Sequence, residues 1–306
     1  MVNTIISVMN TKELLQHIIT GDFKTLARVI SKIENENADD LLKLLPSSNK
    51  KIIGITGPPG AGKSTLVDCL IAEYIKRGKK VGVLCVDPSS AFTHGALLGD
   101  RIRMNAWFNH PDVYIRSLAT RGNIGGLPPF IIEITDVMKA SPLDKIIIET
   151  VGVGQTETEV AALADTTVVV LVPESGDEIQ TMKAGLMEIA DLFVVNKSDR
   201  PDADKFVKNL LTLLAPAFQF KQNEIPVIKT IAIEKKGIDD LIKGIEWHET
   251  LDTITDKRIK LLAENAYRLI EQKRMRDINK MKLVEEINTG YKNPGFNLYK
   301  LIEKYY

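Results

Sequence analysis

The chain has 306 residues, 44% hydrophobic and 26% charged, which excludes disorder as its main state and allows one large domain or two ordinary ones. Forty Lys and Arg balance forty Asp and Glu, so no global field draws the chain to nucleic acid or to an anionic membrane, and neither is expected as a partner. The two cysteines, Cys69 and Cys85, sit in apolar stretches; this excludes a disulfide scaffold and a four-thiolate zinc site and fits a reducing compartment. The longest apolar run, around Val168–Pro173, is far short of the roughly 20 residues of a membrane span. Met1–Asn10 carries no basic segment followed by an apolar core, so a cytoplasmic location is expected.

In chain order, residues 1–49 read as a helical segment. Asn10 can cap a helix with Glu13 at its third position, and Leu14, Leu15, Ile18 and Ile19 give it one apolar face. A second helix is expected over Phe23–Ile33, broken by the polar run Glu34–Asn37, and a short third one over Leu41–Leu45. Pro46–Asn49 is a linker. From Lys51 the period changes. Short β-branched runs at Ile52–Thr56, Val81–Val86, Tyr114–Leu118, Ile146–Thr150, Val168–Val172, Phe193–Asn196 and Val227–Ile231 alternate with helical patterns. That alternation predicts an α/β fold with a mainly parallel sheet covered by helices over residues 50–243. Residues 244–306 form a charged helical arm. Its stripe Ile259, Leu262, Ala266, Leu269, Ile270 must bury its face on the core or on a second copy. The basic segment Lys273–Arg276 is interleaved with acids and reads as a solvated helix face.

Gly57-Pro58-Pro59-Gly60-Ala61-Gly62-Lys63-Ser64 satisfies the phosphate-loop pattern G-x-x-x-x-G-K-[ST], with an apolar strand before it and an amphipathic helix after it. Its glycines let backbone N–H groups turn inward around a phosphate at a helix N-terminus. Lys63 should reach the β- and γ-phosphates, the Ser64 hydroxyl should ligate Mg²⁺, and Thr65 can bond the α-phosphate. The P-loop therefore predicts a nucleoside triphosphate as ligand.

Asn196-Lys197-Ser198-Asp199 follows a strand and reads as a base-recognition loop. A carboxylate at Asp199 can accept both the ring N–H and the exocyclic amino group of guanine, and adenine offers no such donor pair. GTP and GDP are thus the expected ligands. The Lys197 stem can lie over the base. Ile231-Ala232-Ile233 would approach the guanine carbonyl through backbone N–H groups, or are a plain strand end.

Three acids stand near predicted strand ends: Asp87, Asp100 and Glu149. Ligands bind at such ends in open α/β sheets, and the acids suit Mg²⁺ directly or through water. A helix cap or solvated loop is the other reading for Asp100. Glu149 directly follows Ile146–Ile148, where a buried carboxylate is costly without a cation or donor. Lys63, Asp87 and Glu149 are the candidate catalytic residues; Gln155 is a candidate by type for orienting water. His94 reads as a loop residue, and the loop 174–183 as a surface loop capped at Asp177.

The ordered strings VDPSS, GDRIRM, RGNIGGL, ETVGVGQTE and NKSD after the P-loop resemble the methylmalonyl-CoA mutase-associated GTPases of the MeaB/ArgK type, within the metallochaperone-related class of P-loop GTPases. The resemblance spans residues 1–306. It implies a GTP-hydrolysing chaperone that gates cofactor loading and protects an adenosylcobalamin-dependent acyl-CoA mutase, with methylmalonyl-CoA mutase the default partner. It also implies a homodimer formed through the C-terminal helices. By motif match it carries over Ser64, Asp87, Asp100 and Glu149 as magnesium and switch residues, and the loop Glu174–Lys183 as a switch toward the mutase. The family's usual Ser-Ala in the last base motif is Ile231-Ala232 here. A nucleotide-dependent metallochaperone and a P-loop kinase linked to amino-acid transport are the alternative readings.

Overall fold

The computed structural model describes residues 9–36, 38–87, 104–120, 127–150, 159–175, 188–218, 225–251, 253–293 and 295–305. The chain divides into two compact units, residues 1–258 and 259–306.

The first unit opens with three helices, α1 (Thr11–Ile19), α2 (Phe23–Asn35) and α3 (Asp39–Leu42). The capping box is formed: Asn10 Oδ1 accepts the Glu13 N–H and Glu13 Oε2 accepts the Asn10 N–H, both at 3.0 Å. Asp22 caps α2 through the backbone N–H groups of Lys24 and Thr25 and the Thr25 hydroxyl. α2 runs two residues beyond its predicted end. Polar residues end an apolar stripe, not a backbone hydrogen-bond ladder, and the Asn35 side chain returns to the Ser31 carbonyl at 2.8 Å.

Seven strands form one sheet: β1 (Ile52–Thr56), β2 (Val81–Asp87), β3 (Val113–Ala119), β4 (Lys145–Thr150), β5 (Thr166–Leu171), β6 (Leu192–Val195) and β7 (Val227–Lys229). Their order is β3-β2-β4-β1-β5-β6-β7, and every pairing is parallel. Strands β1 and β5 are buried at every position, as apolar β-branched runs require when helices cover both faces. Among the described residues, the helices of this core are α4 (Lys63–Lys76), α5 (Ile131–Ala140), α6 (Ala203–Phe218) and α7 (Ile238–His248). Helices α4 and α7 share one apolar cluster with Ile53, Ile55, Val83, Val168 and Val194; α6 packs on Val169, Phe193 and Val195 in another. From β1 the chain builds β2, β3 and β4 on one side, then crosses to build β5, β6 and β7 on the other. The crevice at the carboxyl end of β1 is therefore where a ligand fits.

At the opposite edge of the sheet a polar knot ties strand starts to the chain that follows α7. The Asp165 carboxylate accepts the Ile52 N–H at 2.8 Å. Asp191 accepts the Thr167 N–H at 2.8 Å and the Lys257 ammonium. His248 lies between Thr166 Oγ1 (2.9 Å from Nδ1) and Asp191 (3.4 Å from Nε2). Burial alone would raise the Asp191 pKa, but hydrogen bonding to His248 and the Lys257 charge outweigh it and hold the carboxyl below its ordinary range. Asp191→Asn should cost about 2 kcal/mol, because it leaves the half-buried Lys257 ammonium without its countercharge. The depressed pKa means this stabilisation is present above the unfolded carboxyl pKa of about 3.9 and fades as pH falls through the lower folded value. Denaturant midpoints should differ most between the two proteins near neutrality and converge in acid. A constant difference down to the lowest pH would show that the carboxylate charge plays no part.

The C-terminal helices are α8 (Thr253–Arg274), α9 (Lys280–Tyr291) and α10 (Leu298–Ile302). In the second unit the Phe296 ring stacks edge-on to Tyr291 at 6.1 Å. Among the described residues, no helix is long and apolar enough to cross a membrane.

Candidate nucleotide site

The loop between β1 and α4 is shaped by two glycines that no other residue could replace. Gly57 has φ +136°, and a Cβ there would stand 2.1 Å from the Val170 carbonyl oxygen of β5. Gly62 has φ +87°, and its Cβ would stand 2.4 Å from Asn196 Nδ2. Gly62 is also the residue before the first turn of α4, and no side chain caps that turn. A helix N-terminus left open in this way presents backbone N–H groups and a positive dipole end to a phosphate.

Lys63 is buried, and its ammonium donates to the carbonyls of Gly57 (2.8 Å) and Pro58 (2.9 Å). The charge is thereby held inside the loop rather than in solvent. The Ser64 hydroxyl donates to Glu149 Oε1 at 2.6 Å, a short charge-assisted bond. Ser64 and Glu149 are both about 5% exposed, so the penultimate residue of β4 and the first turn of α4 meet in a dry place. Thr65 follows on the same turn, half-buried. Asp87 ends β2 one step beyond the Val86–Thr150 pair, which sets its backbone at the same carboxyl edge as Glu149. Asp100, His94, Gln155, Asp177 and Lys183 lie outside the described residues.

The loop after β6 is tied directly to the phosphate-loop fold. Asn196 donates from Nδ2 to the Ala61 carbonyl at 2.9 Å. Its Oδ1 accepts the Thr230 hydroxyl and the Ala232 N–H, each at 3.1 Å. One buried amide thus joins three segments: residues 57–62, 196–199 and 230–236. Lys197, at φ +55°, reaches back to the Gly60 carbonyl at 2.8 Å, so its stem spans the gap between the two loops. Ser198 bonds the Thr230 carbonyl through its hydroxyl and its N–H, both at 3.1 Å. Asp199 is exposed at the rim. Arg200 forms an ion pair with Glu174, just after β5, and this holds the Glu174 carboxyl below its usual range.

Strand β7 stops at Lys229, two residues before its predicted end, because Thr230 and Ala232 turn toward Asn196 and Ile231 pairs with Lys236. Ala232 opens a 3-10 turn; its N–H, expected to face a base carbonyl, donates to Asn196 instead. Ile233 is 79% exposed beside it. Three contacts had no sequence signal. The Cys69 thiol lies 3.1 Å from the Ala232 carbonyl, Trp107 donates to Asp68 of α4 at 2.6 Å, and the Thr150 and Thr56 hydroxyls meet at 3.0 Å. Burial pushes the Cys69 thiol above its ordinary range, and nearby Asp68 adds to the effect, so it stays protonated and is a poor metal ligand.

The arrangement can bind a phosphate chain at α4, hold a hard cation between Ser64 and Glu149, and read a base at the rim. The family model described as "Methylmalonyl Co-A mutase-associated GTPase MeaB" matches residues 26–286. A Pyrococcus abyssi protein named provisionally as a GTPase is 47% identical over 263 residues, 82% of this chain and 81% of its own. GTPase ArgK of Escherichia coli is 33% identical over 302 residues, 94% of this chain and 88% of its own. The Caenorhabditis elegans protein named methylmalonic aciduria type A homolog, mitochondrial, is 33% identical over 269 residues, 80% of this chain and 67% of its own. The crystal structure of an LAO/AO transport system kinase shares the fold, with a TM-score of 0.64 at 24% identity over 97% of this chain and 98% of that one.

Proposed function

Starting from the family to which this chain belongs, the methylmalonyl-CoA mutase-associated GTPases, we propose that GTP hydrolysis here gates cofactor loading of an adenosylcobalamin-dependent acyl-CoA mutase and protects that enzyme from inactivation. The chain is a GTPase of the P-loop class. The observation that carries the site assignment is the Asn196 bridge, which fixes the base-reading loop against the phosphate loop before any ligand orders them.

In this reading the backbone of residues 57–62 cradles the β-phosphate, Lys63 offsets charge on the β- and γ-phosphates, Thr65 bonds the α-phosphate, and Asp199 reads the guanine edge. Ser64, Asp87, Asp100 and Glu149 hold magnesium; the buried Ser64–Glu149 oxygen pair fits such a hard cation. When bound, that ion neutralises charge on the phosphates. The work of the protein is positioning: water attacks the γ-phosphorus while the GDP oxygen leaves in line, and Lys63 offsets the charge that develops. The loop 174–183 transmits the nucleotide state to the mutase, beginning at Glu174, which Arg200 ties to the base-reading loop.

The C-terminal helices supply a homodimer contact. The stripe Ile259, Leu262, Ala266, Leu269, Ile270 lies along one face of α8, and in this reading a second copy covers it. The location proposed is the cytoplasm. The test of the chaperone role is the inactivation rate of the purified mutase during turnover. With this protein and GTP the mutase should survive longer, and with the Lys63→Ala variant and GTP it should not. Equal inactivation rates in all three mixtures would refute the role while leaving the GTPase assignment intact.

A further inference from the structure

On the flank of the sheet, α2 and the edge strand β3 border an open groove of about 430 Å³. Its walls bring together three cations, Arg28 and Lys32 from α2 and Arg116 from β3. Arg116 is fixed in place: Nη2 donates to Ser31 Oγ at 3.1 Å and to Glu34 Oε2 at 2.6 Å. Its Nε–H is buried and finds no acceptor among the described residues. The side chains of Arg28 and Lys32 likewise make no hydrogen bond or ion pair with any described residue. They stand four residues apart on one helix face, where like charges repel. Glu36 lies at the groove's end, and Glu34 is engaged by Arg116.

We propose that this groove binds a multivalent oxyanion, the phosphate or carboxylate groups of a small molecule, at a site separate from the phosphate loop. A guanidinium presents paired N–H donors that match phosphate and carboxylate oxygens. Arg116 is pre-oriented by Ser31 and Glu34, so little side-chain freedom is lost on binding. An oxyanion beside Arg28 and Lys32 would relieve their mutual repulsion, while Arg116, whose charge Glu34 partly offsets, adds N–H donors. None of these residues belongs to the nucleotide site, so the inference stands whether or not the proposed function does.

The test uses pyrophosphate and citrate as probes, titrated by calorimetry at low salt. The full-length Lys63→Ala variant serves as background, so that the phosphate loop contributes little. The same chain carrying Arg28→Ala and Lys32→Ala is the comparison. These two side chains make no hydrogen bond or ion pair with any described residue, so their removal should leave the thermal midpoint unchanged. At least one probe should bind with a Kd of about 1 mM or tighter and weaken at least tenfold in the Arg28→Ala/Lys32→Ala chain and at raised salt. Binding of pyrophosphate alone assigns a phosphate ligand, and binding of citrate alone a carboxylate one. No heat with either probe, or affinities unchanged by the double substitution, would overturn the proposal.

Discussion

Lys63→Ala should lower the rate of GTP hydrolysis by about a thousandfold while the fold survives. The ammonium is buried inside the loop and held by the Gly57 and Pro58 carbonyls. In the proposed mechanism it offsets developing phosphate charge, and a preorganised donor of that kind is worth about 10²- to 10³-fold in rate. Its bonds to the Gly57 and Pro58 carbonyls lie within its own loop, so the sheet and its helices should survive the substitution. Phosphate release under saturating GTP measures the effect, and a thermal midpoint near that of the parent protein separates it from unfolding. Turnover within twofold of the parent would remove Lys63 from the mechanism.

Asp199→Asn should weaken GTP by about a hundredfold and erase the preference for guanine over adenine nucleotides. Two donors of the base lose a charged acceptor, and hydrogen bonds to charged groups are worth about 1.5–3 kcal/mol each. The new amide also turns an N–H₂ toward the guanine amino group. The same amide suits xanthine, which carries a carbonyl at that position, so xanthosine triphosphate should bind the variant better than the parent. Asp199 stands exposed, and the shape of the loop rests on the hydrogen bonds of Asn196, Ser198 and Thr230. Loss of GTP binding here is thus a reading of the base and not a collapse of the site. Calorimetry with GTP, ATP and xanthosine triphosphate on both proteins decides it. Unchanged GTP selectivity in the variant would contradict the assignment.

Much of this molecule is legible in its sequence because its signals are local. The buried strands announce themselves as β-branched runs, and a glycine-rich turn between strand and helix has few other uses. Glu149 stood out as an acid after three isoleucines, and it is buried against Ser64 as that position demands. What the sequence hides is what depends on pairing between distant segments. Asn196 reads as one letter of a base motif, yet it also joins the phosphate loop to Thr230 and Ala232. Nothing near Thr230 marks it as a partner, and the early end of β7 follows from that contact. The Asp191, His248 and Lys257 knot is similar: each residue alone is an ordinary polar side chain, and they meet only because α7 and the chain after it return to the start of β6. The apolar stripe from Ile259 to Ile270 was visible from its period, whereas its partner is not encoded locally.

The most direct test of the central claim is thermodynamic linkage between nucleotide and mutase. The affinity of this protein for a purified adenosylcobalamin-dependent acyl-CoA mutase would be measured with a non-hydrolysable GTP analogue and with GDP. Both nucleotide affinities would then be measured with and without saturating mutase. The account predicts a complex whose affinity differs between the two nucleotide states by about 5- to 150-fold, with the ratio of nucleotide affinities shifted by the same factor. No complex in either state, or one whose strength is the same with both nucleotides, would contradict it.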